Sequence, residues 1–371
     1  MKILVVNPIL YTSETARVKK INTIKDTMIY NMCLAFKKCG HEPTLIAASE
    51  YKPIKDEKYD FEIIFFDTKL QKIFKPNCFP WLKGFKKYIK KESKNYDLII
   101  SSEVFSMSSL CVSIYQKKKT VIWHELAKHN NILKKIPSKF WYNIIARIFF
   151  RNTRVVPRSI NAYEFISSYC NNVSKIVIDH GVNLDEFKLS KQERKKQFVV
   201  LSQLISRKRI DKIIEIFSEF VKKIDNKYIL YIIGEGNEKE NLRKKVKEFD
   251  VEDKVIFKGF MTHEEAMPIL GCSAAMIVNT EKDNSMVSIV EALALGTPIV
   301  TTNIPYNAKY IEKYKLGVVK SELSYEDLKN ITDNNLEYVN NCLHYREKVS
   351  NEYHVKQFIE EYIKMKEGTK K

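Results

Sequence analysis

Two acidic residues flank a predicted helix start in the segment Asn279–Pro298. Asp283 precedes the helix that we expect to begin near Ser285, and Glu291 follows about two turns inside it. The first turn of a helix presents unpaired N–H groups and the positive end of the helix dipole, so it favours anions. Carboxylates at this spacing suit hydrogen bonds to the hydroxyls of a sugar and a ribose. An ordinary helix cap followed by an exposed glutamate gives the same pattern.

Three further segments carry residues that could bind or react. Leu201–Asp211 is basic, and its Lys208 is either a phosphate ligand or part of a charged helix start on the surface. Tyr231–Gly236 predicts a strand that ends in G-x-G, which is a weak signal by itself. His124 follows the predicted strand Thr120–Trp123, where a histidine is more often structural than catalytic.

Taken together, these motifs resemble those of glycosyltransferase family 4, whose members are retaining enzymes with the GT-B fold. The acidic pair of that family is written E-x7-E and is followed by A-x-A-x-G-x-P. Here Asp283 takes the place of the first glutamate, and the run EALALGTP that begins at Glu291 matches the rest. Leu201–Asp211 is similar to the family's G-R-L-x-x-x-K-G-x-D. The resemblance is strongest between Ile176 and Val300.

The resemblance implies roles for individual residues. Lys208 would grip the donor diphosphate, and Gln203 occupies a position where the family usually has an arginine. Arg207 or Arg209 could supply the missing cation. The catalytic candidates are His124, which would lie near the transferred sugar, and Asp283, for which the resemblance implies no nucleophilic role. The implied donor-binding residues are Lys208, Gln203, Gly234, Lys258, Gly259, Phe260, Asp283, Asn284, Ser285, Met286, Val287 and Glu291.

The expected substrate is a nucleoside-diphosphate sugar, and no cofactor or metal is expected. The sequence contains no D-x-D, the motif with which another glycosyltransferase fold chelates a metal–diphosphate complex. A helix dipole and Lys208 can neutralise a leaving diphosphate without a metal. The resemblance further implies that the anomeric configuration is retained.

Alternating apolar runs and helical patterns predict an α/β chain with two doubly wound parallel sheets, the GT-B arrangement. The expected domains are residues 1–190 for the acceptor, residues 191–350 for the donor, and a C-terminal helix, 351–371, that packs toward the first domain. The polar stretch Lys188–Lys196 is interpreted as the linker. Strands are predicted at Ile3–Val6, Thr44–Ala48, Glu62–Phe66, Leu98–Ser101, Thr120–Trp123, Arg154–Pro157, Lys175–Ile178, Phe198–Leu201, Tyr228–Ile233, Val255–Lys258, Ala274–Val278 and Pro298–Thr301.

Composition restricts the setting and the partners. The seven cysteines form no C-x-x-C pair, which favours a reducing compartment, and there is no apolar run of membrane-spanning length. We therefore expect a cytoplasmic protein. The net charge of +18 favours anionic partners, but no nucleic-acid-binding signature is present, so the sequence argues against that partner class.

Two segments interleave aromatic residues with lysines: Lys75–Lys91 and Lys134–Tyr142. They either lie on an anionic bilayer or form surface helices with one face in the core. The first interpretation suits a saccharide acceptor linked to a lipid, and a peripheral location on the inner face of the membrane.

Other functions stay open at this stage. Gln203 and Asp283 depart from the family pattern and are compatible with a non-catalytic relative that acts in a complex. The charge is compatible with a protein associated with nucleic acid, and a nucleotide-sugar epimerase could share the fold.

Overall fold

The computed structural model describes residues 1–11, 18, 20–130, 132–189, 194–283 and 285–368. Its contacts divide the chain into two units, Met1–Gly181 with Asn351–Lys371, and Val182–Ser350. The strands are β1 Lys2–Val6, β2 Glu42–Ala48, β3 Glu62–Phe66, β4 Leu98–Ser102, β5 Thr120–His124, β6 Arg154–Pro157, β7 Lys195–Leu201, β8 Ile229–Ile233, β9 Val255–Gly259, β10 Ser273–Val278, β11 Ile299–Thr302 and β12 Gly317–Lys320. The α-helices are α1 Met28–Lys38, α2 Phe85–Glu92, α3 Met107–Tyr115, α4 Ile136–Phe140, α5 Ile160–Ser167, α6 Ile210–Lys223, α7 Lys239–Glu248, α8 His263–Cys272, α9 Val287–Ala294, α10 Ala308–Lys313, α11 Tyr325–Asp333, α12 Asn335–Tyr345 and α13 Asn351–Gly368.

The first unit is built on a parallel sheet with strand order β3-β2-β1-β4-β5-β6. β1 and β4 are apolar without alternation, because helices cover both faces of a doubly wound sheet. α4 continues directly into a wider, π-type helix, Trp141–Phe150. α13 belongs to this unit, where Phe358 contacts Phe36 of α1 with ring centroids 6.4 Å apart.

The second unit is built on a parallel sheet with the equivalent order, β12-β11-β10-β7-β8-β9. α6 shows why its helices pack on this sheet. Ile210, Ile213, Phe217 and Phe220 recur at helical spacing and are all buried. The predicted fold class, two doubly wound α/β units, is confirmed.

Several predicted boundaries need correction. Lys175–Ile178 is not a strand, and its apolar side chains close the core from an irregular segment. α9 begins at Val287 rather than near Ser285. The first unit ends at Gly181, earlier than the predicted residue 190, because Val182 and Phe187 are buried in the core of the second unit.

Two further points concern the linker and the helices. β7 already begins at Lys195, inside the predicted linker, and residues 190–193 lie outside the described part of the chain. Among the described residues, no helix combines the length and the apolar character that crossing a bilayer requires.

Candidate functional site

The second unit brings its predicted site residues to the carboxyl ends of its strands. The strand order reverses between the neighbours β7 and β10, and ligands of open α/β sheets bind at this switch point. Lys208 lies in the loop after β7, and Asp283 lies in the loop after β10. The topology thus joins two residues that are far apart in the sequence.

Asp283 is the centre of a cluster of hydrogen bonds. Lys208 Nζ donates to its Oδ2 over 2.7 Å, and Arg207 Nη1 donates to its Oδ1 over 2.8 Å. Thr280 Oγ1 also donates to Oδ2, over 2.7 Å. Burial by itself would raise the pKa of Asp283, but the bonds from Lys208, Thr280 and Arg207 lower this pKa below its ordinary value. Asp283 is therefore ionised, and two cations share its charge.

The three basic residues of this loop differ in their surroundings. Lys208 is buried, with only 9% of its surface exposed, whereas Arg209 Nη1 donates to the exposed Glu281 over 2.9 Å. Gln203 is exposed on the loop after β7 and does not join the Asp283 cluster. Of the two arginines that could compensate for Gln203, only Arg207 contacts that cluster.

The G-x-G turn after β8 packs its backbone against the loop after β7. Gly234 has φ +138°, and a Cβ atom there would lie 1.9 Å from the carbonyl oxygen of Ser202. A Cβ atom on Gly236 would lie 2.1 Å from the carbonyl oxygen of Leu204. These glycines are therefore required for the two loops to approach each other.

The end of β9 carries an exposed lysine and an exposed aromatic ring. Gly259 has φ +70°, and its carbonyl accepts a hydrogen bond from Gly234 N over 2.8 Å. Lys258 is exposed and places Nζ 5.1 Å from the centre of the Tyr231 ring. The next residue, Phe260, is 80% exposed, which is unusual for a ring of this size and suits a stacking partner.

The start of α9 is fixed by a buried asparagine. Asn307, which has no exposed surface, accepts a hydrogen bond from Met286 N over 2.7 Å and donates to Ser285 Oγ over 3.2 Å. The apolar side chain of Met286 provides no cap. The N–H groups of Val287 and Ser288, which precede the first intrahelical bond from Ile289 N, therefore stay available for an anion. Asn284 lies outside the described residues.

Glu291 lies on α9 beside a histidine of α8. Glu291 Oε1 is 3.6 Å from His263 Nε2, and its side chain is 17% exposed. The ring of His263 contacts Phe187 at a centroid distance of 5.1 Å. The Glu291 side chain is therefore neither in the core nor fully solvated.

The first unit contains the remaining predicted residue, His124, which is fully buried at the end of β5. Its Nδ1 lies 2.9 Å from Glu103 Oε2, at ion-pair distance although not aligned as a hydrogen bond. Nε2 of His124 has no hydrogen-bond partner among the described residues. A buried polar atom without a partner is uncommon and often marks a reactive or ligand-binding position.

Glu103 follows β4 and has φ +66°, a left-handed conformation that is strained for glutamate. Burial would raise the pKa of its carboxyl group, but the charge of His124 and the hydrogen bond from Glu125 N over 2.7 Å lower this pKa below its usual value. The carboxylate is therefore ionised beside the imidazole.

A second ion pair continues this cluster along the strand ends. Arg158 Nη1 donates to Glu125 Oε2 over 2.7 Å, and its guanidinium lies 3.6 Å from the centre of the Trp123 ring. His180 Nε2 is 4.0 Å from the other oxygen of Glu125. Burial lowers the pKa of His180 well below its ordinary value, and the charge of Arg158 lowers it further.

Sequence reasoning missed five of these residues: Glu103, Arg158, Thr280, His263 and Asn307. None belongs to a motif with a distinctive spacing. Glu103, Arg158 and Thr280 are polar residues within two positions of the end of a predicted strand, whereas His263 and Asn307 lack even this signal. Arg207 is one of two arginines that the sequence offers as a substitute for Gln203, but its bond to Asp283 depends on the packing of two loops and has no local signal.

Within the described ranges, no group of three or more histidine, cysteine, aspartate or glutamate side chains has the arrangement of a metal site. The clusters found are instead pairs of carboxylates with cations or with histidine.

Comparison with known proteins places the second unit in a family. Residues 182–348, nearly the whole second unit, match the family described as glycosyl transferases group 1. The second unit is a domain of the group 1 glycosyltransferase family. This glycosyltransferase shares 23% identity over 318 residues with alpha-monoglucosyldiacylglycerol synthase of Streptococcus pneumoniae, covering 79% of this chain and 71% of the relative. It shares 24% identity over 290 residues with the O-antigen biosynthesis glycosyltransferase WclY of Escherichia coli, covering 72% and 78%.

Solved structures share the fold of this glycosyltransferase over nearly all of the chain. A glycosyltransferase from Rickettsia africae superposes with a TM-score of 0.66 at 15% identity, covering 98% of each chain. HepE of Anabaena, solved in complex with UDP and glucose, superposes with a TM-score of 0.61 at 13% identity, covering 97% of this chain and 98% of that one. The glycosyltransferase therefore has the GT-B fold.

Proposed function

We propose that this enzyme is a hexosyltransferase that transfers a sugar from a nucleoside-diphosphate sugar to a saccharide acceptor, free or linked to a lipid. The observation that carries the proposal is the pairing of Lys208 and Arg207 with Asp283 at the switch point of the second sheet. Two convergent cations beside a carboxylate suit a ligand that carries a diphosphate next to a sugar.

The proposed donor site assigns one part of the donor to each element. Lys208, Arg207 and the start of α9 would neutralise the diphosphate, and this assignment requires no metal. Glu291 would accept hydrogen bonds from the ribose, and Phe260 would stack on the nucleobase beside Lys258 and Gly259.

Asp283 would change partners when the donor binds. Its carboxylate holds both cations in the structure, at 2.7 and 2.8 Å, so a diphosphate must compete with it for Lys208 and Arg207. A carboxylate displaced from these cations can accept hydrogen bonds from sugar hydroxyls. The shorter side chain of aspartate compared with glutamate would then limit which sugar hydroxyls it reaches.

His124 is proposed to contact the transferred sugar through Nε2, with Glu103 beside Nδ1 to orient the ring. In the proposed retaining reaction, the bond between the anomeric carbon and the diphosphate oxygen breaks. The acceptor oxygen bonds to the same face of that carbon, and the acceptor proton passes to the departing phosphate oxygen. The charge that develops on the diphosphate is the one that Lys208 and Arg207 oppose.

The biosynthesis of a surface polysaccharide or glycolipid is the proposed setting. Relatives named for a glucosyldiacylglycerol and for O-antigen support this class of acceptor, and a neighbour that binds UDP and glucose supports the donor class. None of the seven cysteines forms a disulfide, as suits the cytoplasm.

The test is nucleotide binding, measured as thermal stabilisation by UDP, GDP, ADP and their sugars, with and without a metal chelator. A ligand at about a hundred times its Kd stabilises the folded state by roughly 2.7 kcal/mol. We expect one nucleotide to stabilise the protein in the presence of the chelator. Lys208→Ala and Glu291→Gln should remove the shift, whereas their exposed counterparts Lys212→Ala and Glu312→Gln should keep it.

Failure takes distinct forms. No shift with any nucleotide would refute the donor site, and a shift abolished by the chelator would refute the metal-free assignment. Nucleotide binding without turnover on any acceptor in a glycan panel would favour the non-catalytic alternative. When a product forms, NMR of its anomeric configuration tests retention.

A further inference from the structure

A stripe of large apolar side chains is exposed on the first unit. Ile136, Phe140, Ile144 and Ile148 follow one another at intervals of four residues along α4 and the wider helix, and they are 67%, 56%, 43% and 61% exposed. We call these four residues the apolar stripe. A contiguous exposed apolar surface of this kind marks an interaction site more often than a scattered single residue does.

The opposite face of the same helix is firmly packed. Trp141, Tyr142, Ala146 and Phe150 are buried, and Trp141 Nε1 donates to the carbonyl of Val104 over 2.9 Å. The segment therefore has one face in the core, as one interpretation of the sequence predicted, and still presents a second apolar face outward. The core does not require the apolar stripe.

Cations lie directly beside the apolar stripe. Lys139 and Arg147 each precede a member of the stripe by one position, and Arg151 follows Ile148 by three. All three are exposed, and we call them the basic row. Residues 134–153 contain no aspartate or glutamate, so nothing on this segment offsets the charge. The helix thus presents an apolar strip bordered by positive charge.

A second basic segment adjoins this helix. Lys69–Lys91 contains eight lysines and no acidic residue. Its aromatic residue Phe79 contacts Trp141 at a centroid distance of 5.2 Å, so this segment is packed against the helix. Leu70 and Ile73 in its turn are 58% and 74% exposed.

We propose that this face of the first unit binds an anionic lipid bilayer, with the apolar stripe in the interfacial region and the basic row among the headgroups. Aliphatic side chains gain free energy by entering the acyl boundary, and each nearby lysine or arginine is attracted to anionic headgroups. A nucleic acid would pair with the cations but would gain nothing from the isoleucines, so the combination favours lipid. This inference is independent of the donor site, since binding to a vesicle requires no nucleotide.

The experiment is cosedimentation of the full chain with vesicles of phosphatidylcholine alone or mixed with phosphatidylglycerol. We expect binding to the anionic vesicles only, weakened by salt. The double variant Lys139→Glu/Arg151→Glu loses two cations, and each contributes about a factor of five to vesicle affinity. Together, the two substitutions should reduce this affinity by roughly thirtyfold. Phe140→Glu/Ile148→Glu should reduce it by roughly tenfold or more, because two inserting side chains are removed.

Matched controls lie on the second unit. Leu336→Glu replaces a side chain that is 75% exposed on α12, and Lys244→Glu/Lys247→Glu reverses two exposed charges on α7. Both controls should retain vesicle binding, and all variants should retain nucleotide-induced stabilisation. Equal loss in variants and controls would overturn the proposal, as would an absence of anionic-vesicle binding. Binding that duplex DNA displaces and that Phe140→Glu/Ile148→Glu leaves unchanged would also overturn it, in favour of a nucleic-acid surface.

Discussion

The two units have equivalent strand orders, yet the loops at their strand ends carry opposite chemistry. In the first unit, Glu103 follows β4 and lies against a fully buried His124, with a strained backbone at φ +66°. In the second unit, Lys208 and Arg207 converge on a partly exposed Asp283. We call the first the closed cluster, because the His124 side chain has no exposed surface although Glu103 is 25% exposed. We call the second the open cluster, because Arg207 is 41% exposed and leaves Asp283 accessible to exchange.

This difference fits the ligands that each cluster is proposed to meet. A diphosphate is a mobile anion that must displace Asp283, so its site needs cations that can exchange one anion for another. A buried imidazole beside a carboxylate suits a fixed contact to a neutral sugar hydroxyl, since burial strengthens each polar interaction. The shared topology determines where the clusters lie, and the loop residues determine what they do.

Lys208→Ala should cause the largest loss, because it removes the buried cation from the proposed diphosphate site and leaves Asp283 with one cation. We expect kcat/KM to fall by roughly a hundredfold to a thousandfold. Steady-state kinetics with the donor identified by binding provides the measurement, with Lys212→Ala as the exposed control. A loss below tenfold would mean that the diphosphate binds elsewhere.

Gly234→Ala tests whether the loops around the second cluster require close backbone contact. The new Cβ would lie 1.9 Å from the Ser202 carbonyl oxygen at φ +138°, so we expect the second unit to lose roughly 3 kcal/mol of unfolding free energy. The control is Gly40→Ala in the first unit, where φ is +79° and no atom lies within 4 Å of the added Cβ. Its cost should be about 1 kcal/mol. Equal losses by denaturant unfolding would show that the close approach is unimportant.

Glu103→Gln tests the preorganised cluster of the first unit. The substitution keeps the shape but removes the charge beside His124, so we expect kcat to fall by roughly thirtyfold with little change in the KM for the donor. Glu164→Gln, an exposed glutamate of α5, is the control. If KM rises while kcat is unchanged, Glu103 contributes to binding rather than to the orientation of His124.

Much of the fold could be predicted from the sequence. Buried parallel strands are short runs of apolar residues, so β1, β3 and β6 were recognised almost to the residue. Lys175–Ile178 has a similar apolar composition but does not form a strand. The prediction was wrong there because apolar periodicity cannot distinguish a strand from an irregular segment that is also buried. β12 was missed because it begins with a glycine and ends with a lysine, so only two apolar residues mark it.

Residues of the candidate site could be predicted only where they belong to a motif with a defined spacing between its members. Asp283, Glu291 and Lys208 were selected in this way, and their roles stay predictions. The contact of Glu103 with His124 depends on two strands that are neighbours in the sheet, and the role of Asn307 depends on packing against α9. Such contacts arise from tertiary structure and leave no local signal.

His180 provides a test of how closed the first cluster is. Burial and the charge of Arg158 keep its pKa below the ordinary value of 6.5, so the folded state disfavours the protonated form. Its contribution to stability is complete above pH 6.5 and is lost as the pH falls below that value, by up to about 1.4 kcal/mol per pH unit. Glu103, with a lowered carboxylate pKa, loses its contribution only at more acidic pH.

The measurement for His180 is the unfolding free energy of the first unit between pH 7 and about pH 5, where unpaired carboxylates still titrate little. His180→Gln should flatten this pH dependence. The nearby charged or titratable groups are Arg158, Glu125 and His354. If the slope persists in the variant, another group is responsible, and the cluster is less closed than its burial indicates.

Phe260→Ala should give the smallest effect. It tests whether this side chain contributes to nucleotide binding without contributing to the stability of the fold. The ring is 80% exposed, so its loss should leave the unfolding free energy within about 0.5 kcal/mol of the wild type. If the ring stacks on a nucleobase, the Kd for the nucleotide should rise by roughly fivefold, at the lower end of measured stacking energies. Isothermal titration measures this change, and Phe260→Tyr, which keeps an aromatic face, should bind as the wild type does. An unchanged Kd in Phe260→Ala would place the base away from β9 and leave the diphosphate cluster as the main determinant of donor affinity.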